Sequence, residues 1–478
     1  MKAAAGGAAG LGAAAVLPSA SAFKLTSDRG FSYYNKTSSN LNFEIDSTGN
    51  VDLKGNNISN VKSINTDVVN TGQLSSTESI GGSVWIFYLH GDKVKAMAGA
   101  EQRADINGHP AGTVVYEGDR SVPSEMHRVL QSALSDIPTV TETSNGDSRG
   151  GVVSWMPGFY NVGFDSNAAH GSNGHVLVTP CNSESTNTSY NAGNCEVVHH
   201  LNGWDTLVRL ADNTDPEGDF FVVRPGSSGV THHCGIRHGR FITNAGNQAT
   251  TPSTITWDPD GVGNFRECWM DYVLAKQGKW NVDTRNVGNM TIFEGAYEGA
   301  SEIGMLLENS TEVWGSLSKG NSNENIRGGK LFGITSGSTG SNGVGVNSPT
   351  SALGIEVQAA SSHGIDLGGG NSYCHASRVY NNGGYGIRAT RGDGQYIEAY
   401  NVSNNTNGPL AIEGTGDLPP MVKINGRMWK MNLSGETGVY DGQEMIDDGT
   451  NTANNGLLCH WDGAGAAWQP SDGSATFS

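Results

Sequence analysis

The sequence predicts an all-β chain wound as a right-handed, single-stranded parallel β-helix. Three observations lead there. Residues 363–413 repeat one short pattern, in which Gly364-Ile365-Asp366-Leu367, Gly386-Ile387-Arg388-Ala389 and Leu410-Ala411-Ile412 are set between turns of Gly, Asn and Ser. Ile365 to Ile387 is 22 residues and Ile387 to Leu410 is 23, a spacing that marks a solenoid. Apolar residues alternate along the short segments, which marks strands rather than helices. A helix pattern followed by a strand and a Pro-Gly step at 121–162 supplies a start for the coil.

Residues 1–22, Ala/Gly-rich and ending Ala20-Ser21-Ala22, read either as a secretory signal with an A-x-A-like cleavage site or as an arm that anchors the chain in an assembly. Residues 23–120 read as an N-terminal attachment region of short strands, with buried strands at 84–89 and 112–118. The segment 121–137 has apolar residues Val129, Leu130, Ala133, Leu134 and Ile137 at helical spacing. Ser121 is a candidate cap, Pro123 marks the start and Pro138 the stop. Residues 121–415 form the capped coil. Asn381-Asn382-Gly383-Gly384 and Asn404-Asn405 read as corner turns, because Asn tolerates a left-handed backbone. Residues 245–264 and 335–350 read as outward loops, and Pro419-Pro420 mark a boundary before a small β module within 416–478.

Composition narrows the function. The chain has 68 glycines without a collagen period, and its 10 tryptophans argue against disorder. Lys and Arg number 29 against 47 Asp and Glu, giving a net charge of −18 and no basic patch, so nucleic acid is not an expected partner. The acidity fits a salty environment or an ordinary extracellular protein equally. The apolar run at the N-terminus is too weak for an expected membrane span. Cys181 and Cys195 flank a polar loop and could close a disulfide, whereas Cys234, Cys268 and Cys374 read as small core residues. There is no zinc spacing, no P-loop and no G-x-S-x-G step, so no metal or cofactor is expected.

The series Gly150-Gly151-Val152-Val153-Ser154-Trp155-Met156-Pro157-Gly158-Phe159-Tyr160, preceded by the helix, resembles the N-terminal cap of the pectate-lyase-like β-helix superfamily, with Met156 in place of one proline. Residues 49–61 resemble segments of virus tail fibres. His363-Gly364-Ile365-Asp366 with Gly386-Ile387-Arg388 resembles a polygalacturonase segment. That family's upstream acids are missing, since the preceding rung carries Glu356 alone, so this resemblance implies the fold rather than pectin hydrolysis. The whole pattern is similar to virus tailspike and tail-fibre proteins, those of viruses of halophilic archaea among them. That resemblance implies a virion-surface or extracellular homotrimer, with other virion proteins and host-surface glycans or glycoproteins as partners. A secreted polysaccharide lyase or glycoside hydrolase of the β-helix type is the alternative.

β-Helix enzymes acting on polysaccharides use carboxylates on one face, and carboxylates one or two rungs apart could meet that need. Acids and aromatics are densest at 265–308, where Glu267 and Asp271 are catalytic candidates and Trp269 and Trp280 are sugar platforms. Asp366 is a third catalytic candidate, with His363 and Arg388 beside it as ligand-binding candidates, and Trp461 and Trp468, flanking an Asp-Gly turn, are further ligand-binding candidates. The spacing fixes no catalytic pair. Val198-His199-His200 and His232-His233 alternate in direction along their strands, so histidines could meet only across rungs.

Overall fold

The structure is a computed structural model that describes four short segments between residues 21 and 52 and most of residues 83–473. The stretches 100–108, 138–148, 166–173, 182–194, 226–229, 258–263, 369–371, 391–394, 415–420 and 451–455, with positions 111, 233 and 439, lie outside it. Residues 1–20, the fibre-like corners after residue 52 and His233 are therefore not described.

Two units are present. In the first, Ser21–Thr26, Gly30–Asn35, Leu41–Ile45 and Val51–Asp52 form a four-stranded antiparallel sheet.

The second unit is a parallel β-helix. One sheet stacks ten strands in parallel, from Leu177–Cys181 through Ile255–Trp257, Trp280–Asp283 and Ile365–Asp366 to Gly408–Glu413. Ile365, Ile387 and Leu410 are in register, so the sequence repeat is one residue column of this sheet. A second, longer sheet stacks Arg149–Trp155, Cys195–Leu201, Gly235–Arg237, Cys268–Lys276, Met290–Glu298 and Glu312–Lys319, and continues to Met421–Ile424. Ser83–His90 pairs in parallel with Arg149–Trp155, and Lys93–Ala98 and Val114–Asp119 extend the same sheet antiparallel beyond it. Alternate residues point inward, and one apolar core runs from Trp85 to Ile424.

The helix α1 (Pro123–Ser135) closes the N-terminal end, burying Met126, Val129, Leu130, Ala133 and Leu134. Its N-cap is Val122 with no side-chain cap. Ser121 does not cap it, because its hydroxyl is taken by Asp119 at 2.7 Å, and Glu125 of the first turn accepts the Asp119 N–H. Among the described residues no strand precedes the first strand of the ten-stranded sheet. Gln131 takes that place, accepting from Val178 N at 2.8 Å and donating to Val178 O at 3.1 Å. His127 does the same one step away, with Nε2 donating to Val176 O at 2.6 Å while Nδ1 accepts from Asp165 N. The side chains thus pair an edge that would otherwise expose backbone donors and acceptors. Buried Tyr160, from the Pro-Gly step, places its hydroxyl 3.0 Å from Phe87 O and 2.8 Å from Met156 O.

Two expected loops contain strands of the coil. Residues 245–264 contain the strand Ile255–Trp257, with Trp257 in the core, and 335–350 contain Thr335–Ser336 and Val344–Asn347. An amide ladder on the intervening rungs joins them: Thr254 Oγ1 donates to Asn281 Oδ1 at 3.4 Å, Asn281 donates to Asn321, Asn321 to Asn325, and Asn325 to Ser336 Oγ at 2.9 Å. Buried polar groups are therefore satisfied inside the coil where amides form a ladder. The Asn corners are as expected: Asn381 and Asn404 have φ of 58° and 54°, and Asn382 donates to Asn405 Oδ1 at 2.8 Å.

At the C-terminal end, Lys430–Met431, Glu444–Asp447, Leu458–Asp462 and Ala467–Pro470 form a four-stranded sheet with its own core. Among the described residues no helix is long and apolar enough to cross a membrane.

Candidate functional site

The longer sheet carries one outward column whose members are in register: His200, Arg237, Asp271, Phe293, Trp314 and Phe332. Its first half is polar and its second half aromatic. Between them lies an open cleft of about 550 Å³, lined by Arg237, Trp269, Asp271, Tyr272, Phe293, Glu294, Trp314 and Gly315. Phe293 is 45% exposed and Trp314 41%, although burial of aromatic area is strongly favoured. Trp314 stacks flat on Phe332, with centroids 4.1 Å apart and planes within 11°.

From Arg237 onward, the position after each column residue bends the chain. His238, Tyr272, Glu294, Gly315, Gly333 and Gly354 succeed one another across rungs, all with positive φ, at 60°, 52°, 39°, 63°, 61° and 66°. Glycine adopts this backbone freely, whereas other residues do so at about 1–3 kcal/mol each. From Gly315 onward the column is glycine, whereas three successive earlier rungs hold His238, Tyr272 and Glu294 where glycine would be unstrained, and of these Tyr272 and Glu294 line the cleft.

Those side chains interact. The Tyr272 hydroxyl donates to the Glu294 carboxylate, and that bond, with the charges of Glu294 and Asp271, holds the phenol above its ordinary pKa. His238 Nε2 lies 3.8 Å from Asp271 Oδ2, and its ring packs against Tyr272 and His200. Burial, then the nearby His238 and Arg237, lower the pKa of His200. Arg237 lies 4.9 Å over the Trp269 ring, and its Nε is 3.3 Å from Asp271 Oδ2 without the alignment of a hydrogen bond. Trp269 covers Gly235 so closely that a Cβ there would sit 2.3 Å from the indole. The cleft therefore joins flat apolar surfaces to two carboxylates, a guanidinium and a phenol.

Of the residues singled out from sequence, Asp271 and Trp269 line the cleft. Glu267 is exposed at φ 55° and is not among its walls. Trp280 stands on the ten-stranded sheet with Lys279 and Arg285 over its ring at 4.7 and 4.5 Å, and its Nε1 donates to Glu302. Asp366, His363 and Arg388 do come together, as a closed network. Arg388 lies 2.9 Å from both Asp366 and Glu413, and His363 stacks on Tyr385 and accepts from Tyr385 N. Burial and the Arg388 charge lower the pKa of His363. The carboxylate of Asp366 is thus engaged by Arg388. Trp461 and Trp468 are buried edge-to-face in the core of the C-terminal sheet, and Trp468 Nε1 donates to Glu436 O, so they are packing residues rather than a surface platform. His199 is likewise internal, held by Trp155 Nε1 at 3.1 Å and Thr179 Oγ1 at 2.8 Å. The side chains of Cys181, Cys195 and His232 lie outside the described residues.

Sequence reasoning missed Arg237, Tyr272, Phe293 and Trp314. A signal existed, since positions 271, 293, 314 and 332 follow at steps of 22, 21 and 18.

No family model matches the chain, and no curated protein matches it. Among solved structures, it is similar to the A-module of the Azotobacter vinelandii mannuronan C-5 epimerase AlgE4, with 17% identity, 54% of this chain and 70% of that chain covered, and a TM-score of 0.41. The A-module of AlgE6 from the same organism gives 13% identity, 63% and 94% coverage, and a TM-score of 0.31. ORF18 of Geobacillus virus E2 gives 11% identity, 72% and 71% coverage, and a TM-score of 0.38.

Proposed function

We propose that this chain is a surface-attachment protein of the tailspike or tail-fibre kind that binds a host-surface glycan in the Arg237–Trp314 cleft. The observation that carries this reading is the strained column. His238, Tyr272 and Glu294 hold left-handed backbone beside Trp269, Phe293 and Trp314, where the neighbouring rungs use glycine. Exposed aromatic faces suit the apolar faces of sugar rings, and the carboxylates and guanidinium suit their hydroxyls. The fibre-like N-terminal sequence supports placement on a virion or another extracellular appendage, as a homotrimer. Binding of the purified chain to a glycan array, followed by calorimetry, tests the reading. Trp314→Ala is expected to weaken binding by about 2 kcal/mol, roughly 30-fold, with unchanged folding. Equal affinity of wild type and variant for every bound glycan removes the cleft from the account.

A polysaccharide lyase or hydrolase is the second reading, favoured by the presence of Asp271 and Glu294 in one cleft. It predicts new reducing ends or unsaturated products from acidic polysaccharides, lost in Asp271→Asn and in Glu294→Gln.

A further inference from the structure

Cys234 and Cys268 stand on successive rungs immediately behind the cleft. Gly235 and Trp269 are in register, so the residues before them face each other, and Trp269 N donates to Cys234 O at 3.0 Å. Both cysteines point into the core and are 0% and 1% exposed. The Cys234 thiol neighbours that of Cys268, whose Sγ donates to Arg266 O at 3.5 Å. The other described cysteines meet no thiol across their strands. Cys374 is in register with Ala352 and Ile397, and Cys459 with Met445 and Pro470. In-register parallel neighbours lie about 4.8 Å apart, within the Cα separation of about 4.4–6.8 Å that a disulfide spans.

We propose that Cys234 and Cys268 form a disulfide that staples these two rungs beneath Arg237, Trp269 and Asp271. This does not depend on which ligand the cleft takes. The oxidant is a small-molecule disulfide such as oxidised glutathione. One cysteine thiolate attacks it, forming a mixed disulfide and releasing one small thiolate. The second cysteine thiolate then attacks the protein sulfur of the mixed disulfide and releases the other. The two protons from the cysteines end on the two released thiols. The exchange belongs to folding, before the rung closes: burial and the neighbouring Cys234 hold the Cys268 thiol well above its ordinary pKa, so it is a poor nucleophile once the core is dry. Once made, the bond is shielded from reductant by the same core.

The test folds the full chain carrying Cys181→Ser and Cys195→Ser, so that the loop pair expected from sequence contributes nothing. One sample is folded with a reduced and oxidised glutathione mixture and a second in excess reductant, and both are alkylated and digested without reduction. A peptide joining Cys234 to Cys268, lighter than its two parts by two hydrogens, is expected only in the first sample. The first sample is also expected to melt higher than the second. Adding Cys268→Ser should abolish the linked peptide and the difference in melting. If that variant does not fold, the comparison of the two samples stands alone. Recovery of both residues as alkylated thiols after oxidative folding overturns the proposal, as does linkage of either to another cysteine.

Discussion

Tyr272 and Glu294 each hold a backbone that glycine holds without strain, and the two rungs beyond them use Gly315 and Gly333. Glu294→Gly is therefore expected to raise stability by about 1 kcal/mol while weakening ligand binding, with thermal melting and calorimetry read on the same sample. A variant that loses stability and keeps binding would make Glu294 a structural residue. Gly235 answers to a different constraint. Its missing side chain lets Trp269 lie over the backbone, so Gly235→Ala should push the indole outward, shift its fluorescence and weaken binding. At this scale the sequence was half legible. The parity of Trp269 and Asp271 on one strand can be read directly, and both line the cleft. Phe293 and Trp314 reach the same column only through rung register, which steps of 18 to 22 residues blur. Trp461 and Trp468 misled because an Asp-Gly turn between two tryptophans looks the same whether the rings face water or each other.

The elements show a sharper contrast. Helix α1 was legible because its apolar spacing and Pro123 are local signals. What it does was not, since Gln131 and His127 serve as surrogate strand partners only once the first rung is in place. Gln131→Leu leaves the buried Val178 N–H and C=O without that partner and is expected to cost about 2 kcal/mol, measured as a lower denaturant midpoint. An unchanged midpoint would show that the helix closes the coil by apolar contact alone. The segments at 245–264 and 335–350 read as loops because their strands, Ile255–Trp257, Thr335–Ser336 and Val344–Asn347, are short and set among Gly, Ser, Thr and Asn.

For the whole molecule, stacking makes one long core whose buried polar groups set its response to acid. Burial lowers the pKa of His199 from 6.5 to about 3. The unfolded chain takes up this proton below 6.5 and the folded chain does not until about 3, so stability falls as pH drops through that window. Glu298 adds to the lower part. Burial opposes its charge, but the Lys276 hydrogen bond and the charges of Lys276 and Lys319 outweigh that and lower its pKa. Its contribution is present above the ordinary value of 4.5 and is lost as pH falls through the folded one. Denaturant midpoints between pH 6.5 and 5 should fall, with His199 contributing on the order of 2 kcal/mol, and His199→Gln should flatten the dependence. The fold at this scale was legible from the repeat at 363–413, because a solenoid writes its period into the chain. The cleft was not, because it exists only where rungs 34, 22 and 21 residues apart come into line at positions 237, 271, 293 and 314.

The central claim is that the cleft is where a glycan sits. Hydroxyl-radical footprinting of the intact chain, with and without a glycan selected on an array, tests it most directly. Protection of Tyr272, Phe293 and Trp314 on binding, with unchanged labelling of exposed Tyr440 on the C-terminal segment, is the result this account predicts. Protection elsewhere, with Tyr272, Phe293 and Trp314 labelled as in the free protein, would contradict it.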